Sequence, residues 1–262
     1  MEMDEKIREI VMEYKKRTEK ECCFINYSFE FPTILDDKIG GKPYLPVGEE
    51  YPKDKYGNPM ALFMQMNLTK LDLEGYPKGI LELFVTTNED DLFDFEIAEE
   101  SFEIRLFEEG LEYQTELPDV NLETFLVSGP IKIEFNKGKM SMPYNMGDDK
   151  AVNLLLDLFE EKFDVKINYP SDLEKLFGID YYDLQDKLDD GSGFASHIGA
   201  YASFVNDPYI DYFTKNECLI FIGSNLKELF DLGNASSFYV LISREDLLNK
   251  DFSNVTCNFE WS

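Results

Sequence analysis

One block of residues and a worn echo of it constrain the fold more than anything else in the chain. The block is Lys38-Ile39-Gly40-Gly41-Lys42-Pro43-Tyr44-Leu45-Pro46, followed by Ala61 to Leu68 and then by Gly79 to Val85. The echo is His197-Ile198-Gly199-Ala200-Tyr201, followed by Cys218 to Gly223 and then by Ser236 to Ile242. Gly40 to Gln65 spans 25 positions and Gly199 to Phe221 spans 22. Gln65 to Gly79 spans 14 positions and Phe221 to Ser236 spans 15. Blocks of one kind, in one order and at near-equal spacing, argue for an internal duplication. The fold expected is α+β, with two related antiparallel sheet units over residues 37–112 and 195–262. An N-terminal helix at 4–19 and a helical insert at 113–194 complete one domain, 1–262, packed as one body.

The block has a physical reading. Gly40-Gly41 lets the backbone take positive φ or approach another segment closely. Pro43 and Pro46 fix φ and hold the chain extended after that turn. Ala61 to Leu68 is an apolar run of strand length, with Asn58-Pro59 before it. Gln65 is a lone amide inside that run and, if buried, needs hydrogen-bond partners. Tyr76-Pro77-Lys78-Gly79 reads as a turn into the next strand.

These same residues carry a resemblance. Gly40-Gly41-Lys42-Pro43-Tyr44-Leu45-Pro46, Gly57-Asn58-Pro59-Met60, Leu62 to Asn67 and Pro77 to Leu81 resemble the conserved phrases of the YwqG-like domain family, which is bacterial and of unassigned function. The second half resembles that family's C-terminal region in a degraded form. Phe221 stands where the family has Gln, Gly223 where it has Asp, and Gly233-Asn234-Ala235-Ser236 in place of a Gly-Asp-x-Gly phrase. Glu245-Asp246-Leu247 and Asp251-Phe252 keep its closing residues. The resemblance implies an α+β fold and no known catalytic residues.

Charge and composition narrow the function. The chain has 262 residues, and 44% hydrophobic content with 22 Phe and 15 Tyr is ample for a packed core. Its 53 acids against 25 bases give a net charge of −28. A phosphate backbone needs a basic face, so nucleic acid is excluded as a ligand class. Anionic membranes are disfavoured on the same ground. A basic protein is the partner such charge favours. Cys22, Cys23, Cys218 and Cys257 show no Cys-x-x-Cys spacing, and His197 is the only histidine. A zinc site is therefore not expected, and the cysteines read as free thiols of a reducing cytoplasm. The polar start Met1-Glu2-Met3-Asp4-Glu5-Lys6 is no signal peptide. No apolar run approaches the ~18 residues of a membrane span. No cofactor is expected.

Periodicity supplies the elements. Ile7, Ile10, Val11 and Tyr14 form the stripe of the first helix. Residues 61–68 and 79–87 read as strands. Phe93, Phe95 and Ile97, and likewise Phe102, Ile104 and Leu106, alternate with charged residues as half-buried strands do. Ile131 to Phe135 is another strand, ended by Asn136-Lys137-Gly138. Val152, Leu155, Leu156, Phe159 and Phe163 mark a helix over 149–163. Short helices are expected at 172–177 and 181–188.

Two constellations compete for function. Glu89 to Glu123 holds fourteen acids and one base, Arg105. Either it is a solvated face or it docks a basic partner through Glu99, Glu100, Glu103, Glu108, Glu109 and Glu112. The other is a cleft between the repeats, where Gly40, Gly41, Tyr44, Gln65, Asn67 and His197 would touch a small ligand, with Tyr51 and Tyr56 beside them. Gln65 and Asn67 read equally as internal anchors. His197 matches Lys38 in the first copy, which suggests a surface role flanking a turn, and no Gly-x-Ser-x-Gly elbow accompanies it. Asp36-Asp37 and Asp148-Asp149 lack the spacing of a calcium loop, so no metal is expected. The leading reading is a non-enzymatic cytoplasmic interaction protein, a toxin-neutralising immunity protein among such proteins, that uses an acidic surface. The alternative is a small-ligand-binding or enzymatic domain using the cleft.

Overall fold

The computed structural model describes residues 2–88, 91, 101–120, 129–144, 149–188, 195–202, 204, 217–223, 226 and 235–261. In chain order the elements are α1 (Glu2–Thr18), β1 (Lys20–Ser28), β2 (Lys38–Ile39), β3 (Ala61–Asn67), α2 (Leu68–Leu71), β4 (Ile80–Val85), β5 (Phe102–Phe107), β6 (Ile131–Met140), α3 (Asp149–Phe163), α4 (Ser171–Phe177), α5 (Tyr181–Leu188), β7 (His197–Gly199), β8 (Glu217–Ile222), β9 (Ala235–Ile242), α6 (Arg244–Asn249) and β10 (Thr256–Trp261). The expected strand around Phe93 to Ile97 lies outside the described residues.

All ten strands join one sheet in the order β10-β9-β8-β7-β1-β6-β2-β3-β4-β5. Every pairing in it is antiparallel. The sheet curls until its two edge strands face each other: the Phe102 ring on β5 lies 6.1 Å from Phe259 on β10. One apolar cluster fills the inside, with Phe63, Leu81 and Leu83 from one side meeting Ile220, Phe238 and Val240 from the other. The Phe63 and Phe238 rings are 5.1 Å apart. Such a sheet needs apolar residues on alternate positions of each strand, which is the periodicity seen on β5.

β1 and β6 form the spine between the two wings, paired from Lys20↔Met140 to Ser28↔Lys132. β6 therefore runs straight through Asn136-Lys137-Gly138, where the sequence suggests an end. The nine-residue partner strand satisfies the backbone there. Gly138 also leaves room for the Phe24 ring, since a Cβ would stand 2.5 Å from it. A second cluster lies between helices: Ile7, Ile10 and Tyr14 of α1 pack on Leu155 and Phe159 of α3 and on Leu184 of α5. Tyr201 Oη ties this layer to the sheet by donating to the Thr18 carbonyl at 2.7 Å. Among the described residues no helix is long and apolar enough to cross a membrane.

Candidate functional site

Outward-facing residues of β2, β3, β4 and β5 line up in one row across the first wing. Lys38 faces Gln65, Gln65 faces Glu82, and Glu82 faces Arg105. Residues 33–36 lie over the Lys38 end of this row and Tyr44 to Tyr51 over the rest, so positions that would meet water on a bare sheet are covered. Lys38, Gln65 and Glu82 are 2%, 1% and 0% exposed. Buried polar groups must then be bonded or carry a cost.

The row is bonded mainly to backbone. The Tyr44 N–H donates to Gln65 Oε1 at 2.9 Å and to Glu82 Oε1 at 2.6 Å. Gln65 Nε2 donates to the carbonyls of Ile34 and Asp36 at 2.8 and 2.9 Å. Lys38 Nζ donates to the carbonyls of Thr33 and Ile34 at 3.0 and 2.8 Å. Glu82 Oε2 finds no partner among the described residues. Burial pushes the Glu82 carboxyl up to about 8, against the pull of the Tyr44 N–H, Lys38 and Arg105. Burial pulls Lys38 down to about 8, against Glu82, Asp36 and Asp37. Desolvation dominates in both, and it favours the neutral form of each. The chemistry available here is a proton held under a loop.

Gly40 and Gly41 turn the chain with φ of 69° and 79° and set Tyr44 over the row. Tyr44 Oη reaches the Leu111 carbonyl at 3.0 Å, and its ring lies 5.6 Å from that of Tyr113. Tyr51 packs its ring on Phe84, 6.2 Å away, whereas Tyr56 is exposed. Asn67 caps α2 by accepting from the Thr69 N–H. Its Nδ2 donates to Glu109 Oε2 at 2.8 Å. Gly40, Gly41, Tyr44, Gln65 and Asn67 thus lie in one neighbourhood. His197 does not: β1 and β6 separate its strand from β2.

The surface role suggested for His197 is corrected by its burial, at 0% exposed. It sits between the carbonyls of Ala195 and Tyr201, at 2.6 and 2.8 Å from Nδ1 and Nε2, and stacks on Phe221 at 5.1 Å. Burial lowers its pKa, while the two carbonyls pull the other way. It is a packing residue, paired with Phe221 across β7 and β8. All four cysteines are free and buried, and burial pushes the Cys22 thiol up to about 12. Among the described residues no group of three or more His, Cys, Asp or Glu is placed to hold a metal ion.

The acidic stretch divides into parts. Glu99 and Glu100 lie outside the described residues. Glu103 accepts from Arg105 Nε at 2.6 Å, and Arg105 Nη1 donates to the Glu50 carbonyl at 2.5 Å. Glu108, Glu109, Glu112, Glu116 and Asp119 are exposed. Their segment is laced to the Gly-Gly loop: the Val47 N–H donates to the Glu112 carbonyl and the Gln114 N–H to the Leu45 carbonyl, both at 2.8 Å. Beside it a groove of about 620 Å³ runs between β5 and residues 250–255.

Sequence reasoning singled out Gln65 and Tyr44 but passed over Lys38 and Glu82 as site residues. A signal was present: Glu82 interrupts the run Ile80 to Val85, and a continuous apolar run means that both faces of the strand are covered.

Fold and site together define an α+β protein built on a nearly closed antiparallel sheet, with a buried polar row under one loop and a groove at its seam. The chain belongs to the family described as a domain of unknown function, DUF1963, which it matches over residues 37–260. No curated protein matches it.

Proposed function

We propose that the protein is a non-enzymatic interaction protein that docks a basic partner on the acidic segment after β5. The observation that carries this reading is the exposed run Glu108, Glu109, Glu112, Glu116 and Asp119. The one base of the stretch, Arg105, is already engaged by Glu103 and by the Glu50 carbonyl. Dense charge of one sign speeds encounter with a cationic partner, and salt screens it. A basic toxin, neutralised by an immunity protein in the bacterial cytoplasm, is the partner class we favour. The resemblance of Lys38 to Val85 to the YwqG-like family supports the bacterial setting. The test is charge reversal, with Glu108, Glu112 and Glu116 changed to Lys. These side chains are exposed, so folding should be unchanged, while recovery of a basic protein from the native cell at low salt should be lost. High salt should abolish recovery by the unaltered chain. Equal recovery by both chains would refute the docking face.

We also read the two wings as descendants of one duplicated unit. Three correspondences support this. β3 slips register between Leu62 and Met64, and β8 between Cys218 and Ile220. Lys38 faces Gln65 as His197 faces Phe221. Gly40 and Gly41 have positive φ, as do Gly199 and Ala200. A relative with the slip displaced in one wing alone would count against it. A second functional reading keeps the buried row as a small-ligand site around Gly40, Gly41, Tyr44, Gln65 and Asn67. It is favoured by the orphan oxygen of Glu82, and calorimetry against small cationic ligands, with no heat in any case, would dismiss it.

A further inference from the structure

β5 is an edge strand whose outer side is unpaired among the described residues. The Thr86 N–H donates to the Ser101 carbonyl at 2.8 Å, so the facing pair 86/101 is a bonded one. Bonded and unbonded pairs alternate in an antiparallel ladder. The pairs 84/103, 82/105 and 80/107 are therefore bonded. Phe102, Ile104 and Leu106 must turn their N–H and C=O groups away from β4, toward the free edge. These three also turn their side chains inward to the core. All six residues of β5 are only half-buried, whereas those of β3 and β4 are fully buried. The groove of about 620 Å³ runs along this edge, and its far wall is the segment from Lys250 to Val255.

We propose that this groove receives an extended segment of the basic partner, added antiparallel to β5 as a further strand between β5 and the segment from Lys250 to Val255. The proposal rests on the reading that the partner is basic, and it assigns the mode of binding. An unpaired edge is a template for another strand, and backbone bonds supply affinity in such additions while pockets for alternate side chains supply specificity. In antiparallel addition, guest residues directly opposite Phe102, Ile104 and Leu106 share their face. Those guest residues are therefore apolar and extend the core. The alternate guest residues point outward, beside Glu103 and toward the exposed acids beyond β5. The lining itself is balanced, with Glu103 and Glu108 against Lys78 and Lys250. The preference for a basic guest comes from the net charge of −28 and from the run Glu108 to Asp119. The groove excludes a proline-rich guest, which lacks the donors the edge needs.

The test uses the full chain and an acetylated peptide of alternating Val and Lys, about as long as the six residues of β5. Two versions carry N-methyl groups, one on the Val nitrogens and one on the Lys nitrogens. Binding is read by fluorescence anisotropy and located by hydrogen exchange. In antiparallel addition the Val N–H groups point at β5. Val methylation should weaken binding at least about tenfold and Lys methylation should change it little, since the lost bonds sum to roughly 1.4 kcal/mol or more. The Phe102, Ile104 and Leu106 amides should exchange about tenfold more slowly when the parent peptide is bound. Equal binding of all three peptides, or no slowing at those amides, would mean attraction by charge alone. That would overturn strand addition while leaving the basic-partner reading intact. Loss on Lys methylation alone would overturn the antiparallel register. No binding by the parent peptide at low salt would overturn both readings.

Discussion

Glu82 keeps its proton because the loop over it removes water and, among the described residues, leaves one carboxyl oxygen without a donor. Its ordinary value is 4.5 and its folded value about 8. Between those limits the native state holds a proton that the unfolded chain releases, so raising pH through this window lowers stability. Lys38 behaves in the opposite sense, falling from 10.5 to about 8. Between 8 and 10.5 the unfolded chain holds the proton that the native state has lost, so stability returns as pH rises. The pair should place a dip in stability near pH 8. Glu82→Gln keeps the bond from the Tyr44 N–H, and it should remove the fall below pH 8. Lys38→Met should remove the rise above it, while leaving the Thr33 and Ile34 carbonyls short of a donor at a cost on the order of 1–3 kcal/mol. Urea midpoints across pH 5 to 10 read both limbs, and identical profiles for the native chain and Glu82→Gln would show that Glu82 titrates normally.

At the scale of elements, the start of β4 packs closely on the end of β5. Gly79 opens β4 at φ 134°, and a Cβ there would stand 2.4 Å from the Phe107 carbonyl oxygen. Gly110 also has positive φ, but its Cβ would meet nothing within 4 Å. Gly79→Ala combines backbone strain with a clash against backbone and should cost roughly 1–3 kcal/mol more than Gly110→Ala. Equal melting temperatures for the two variants would show that the joint yields. Elements of this kind were legible where one period ruled them. The stripe Val152 to Phe163 reads as the helix it is, and residues 61–68 read as a strand, which holds to Asn67 before Leu68 opens α2. β6 was legible only to Phe135, because Asn-Lys-Gly has turn chemistry and only the partner β1 overrides it. Glu82 is easily passed over because a lone charge on a strand reads as facing water, although the apolar run on both sides of it signals a strand covered on both faces. What covers it is the stretch from Tyr44 to Tyr51, from another part of the sequence, and the apolar run does not report which segment that is. The inward face of β5 shows in the sequence as Phe102, Ile104 and Leu106, but its lack of an outer neighbour among the described residues does not.

For the whole molecule, charge and closure are separate properties. The excess of acids was plain in the composition, and it bears on partners and solubility rather than on the shape of the sheet. Closure depends on which strands end at the two edges, a property of order that spacing alone does not encode. Two blocks of strands are compatible with two separate sheets. The spine of β1 and β6 makes them one, because Cys22 to Phe24 pair with β7 while Lys20 to Ser28 pair with β6. That union has a consequence in time. Phe63 rests on Phe238, 175 positions later (238 − 63), so the first wing has no inner lining until the last wing has been added. Contacts this remote in sequence make folding slow and shift it toward the end of synthesis. In refolding followed by pulsed hydrogen exchange, the amides of β3 and β9 should gain protection in one phase. Early protection of β3 alone would mean that the first wing folds by itself. Until β9 arrives, Phe63, Leu81 and Leu83 stand open to any other apolar chain in the cell, and during that interval the 53 acids are the molecule's defence against clumping.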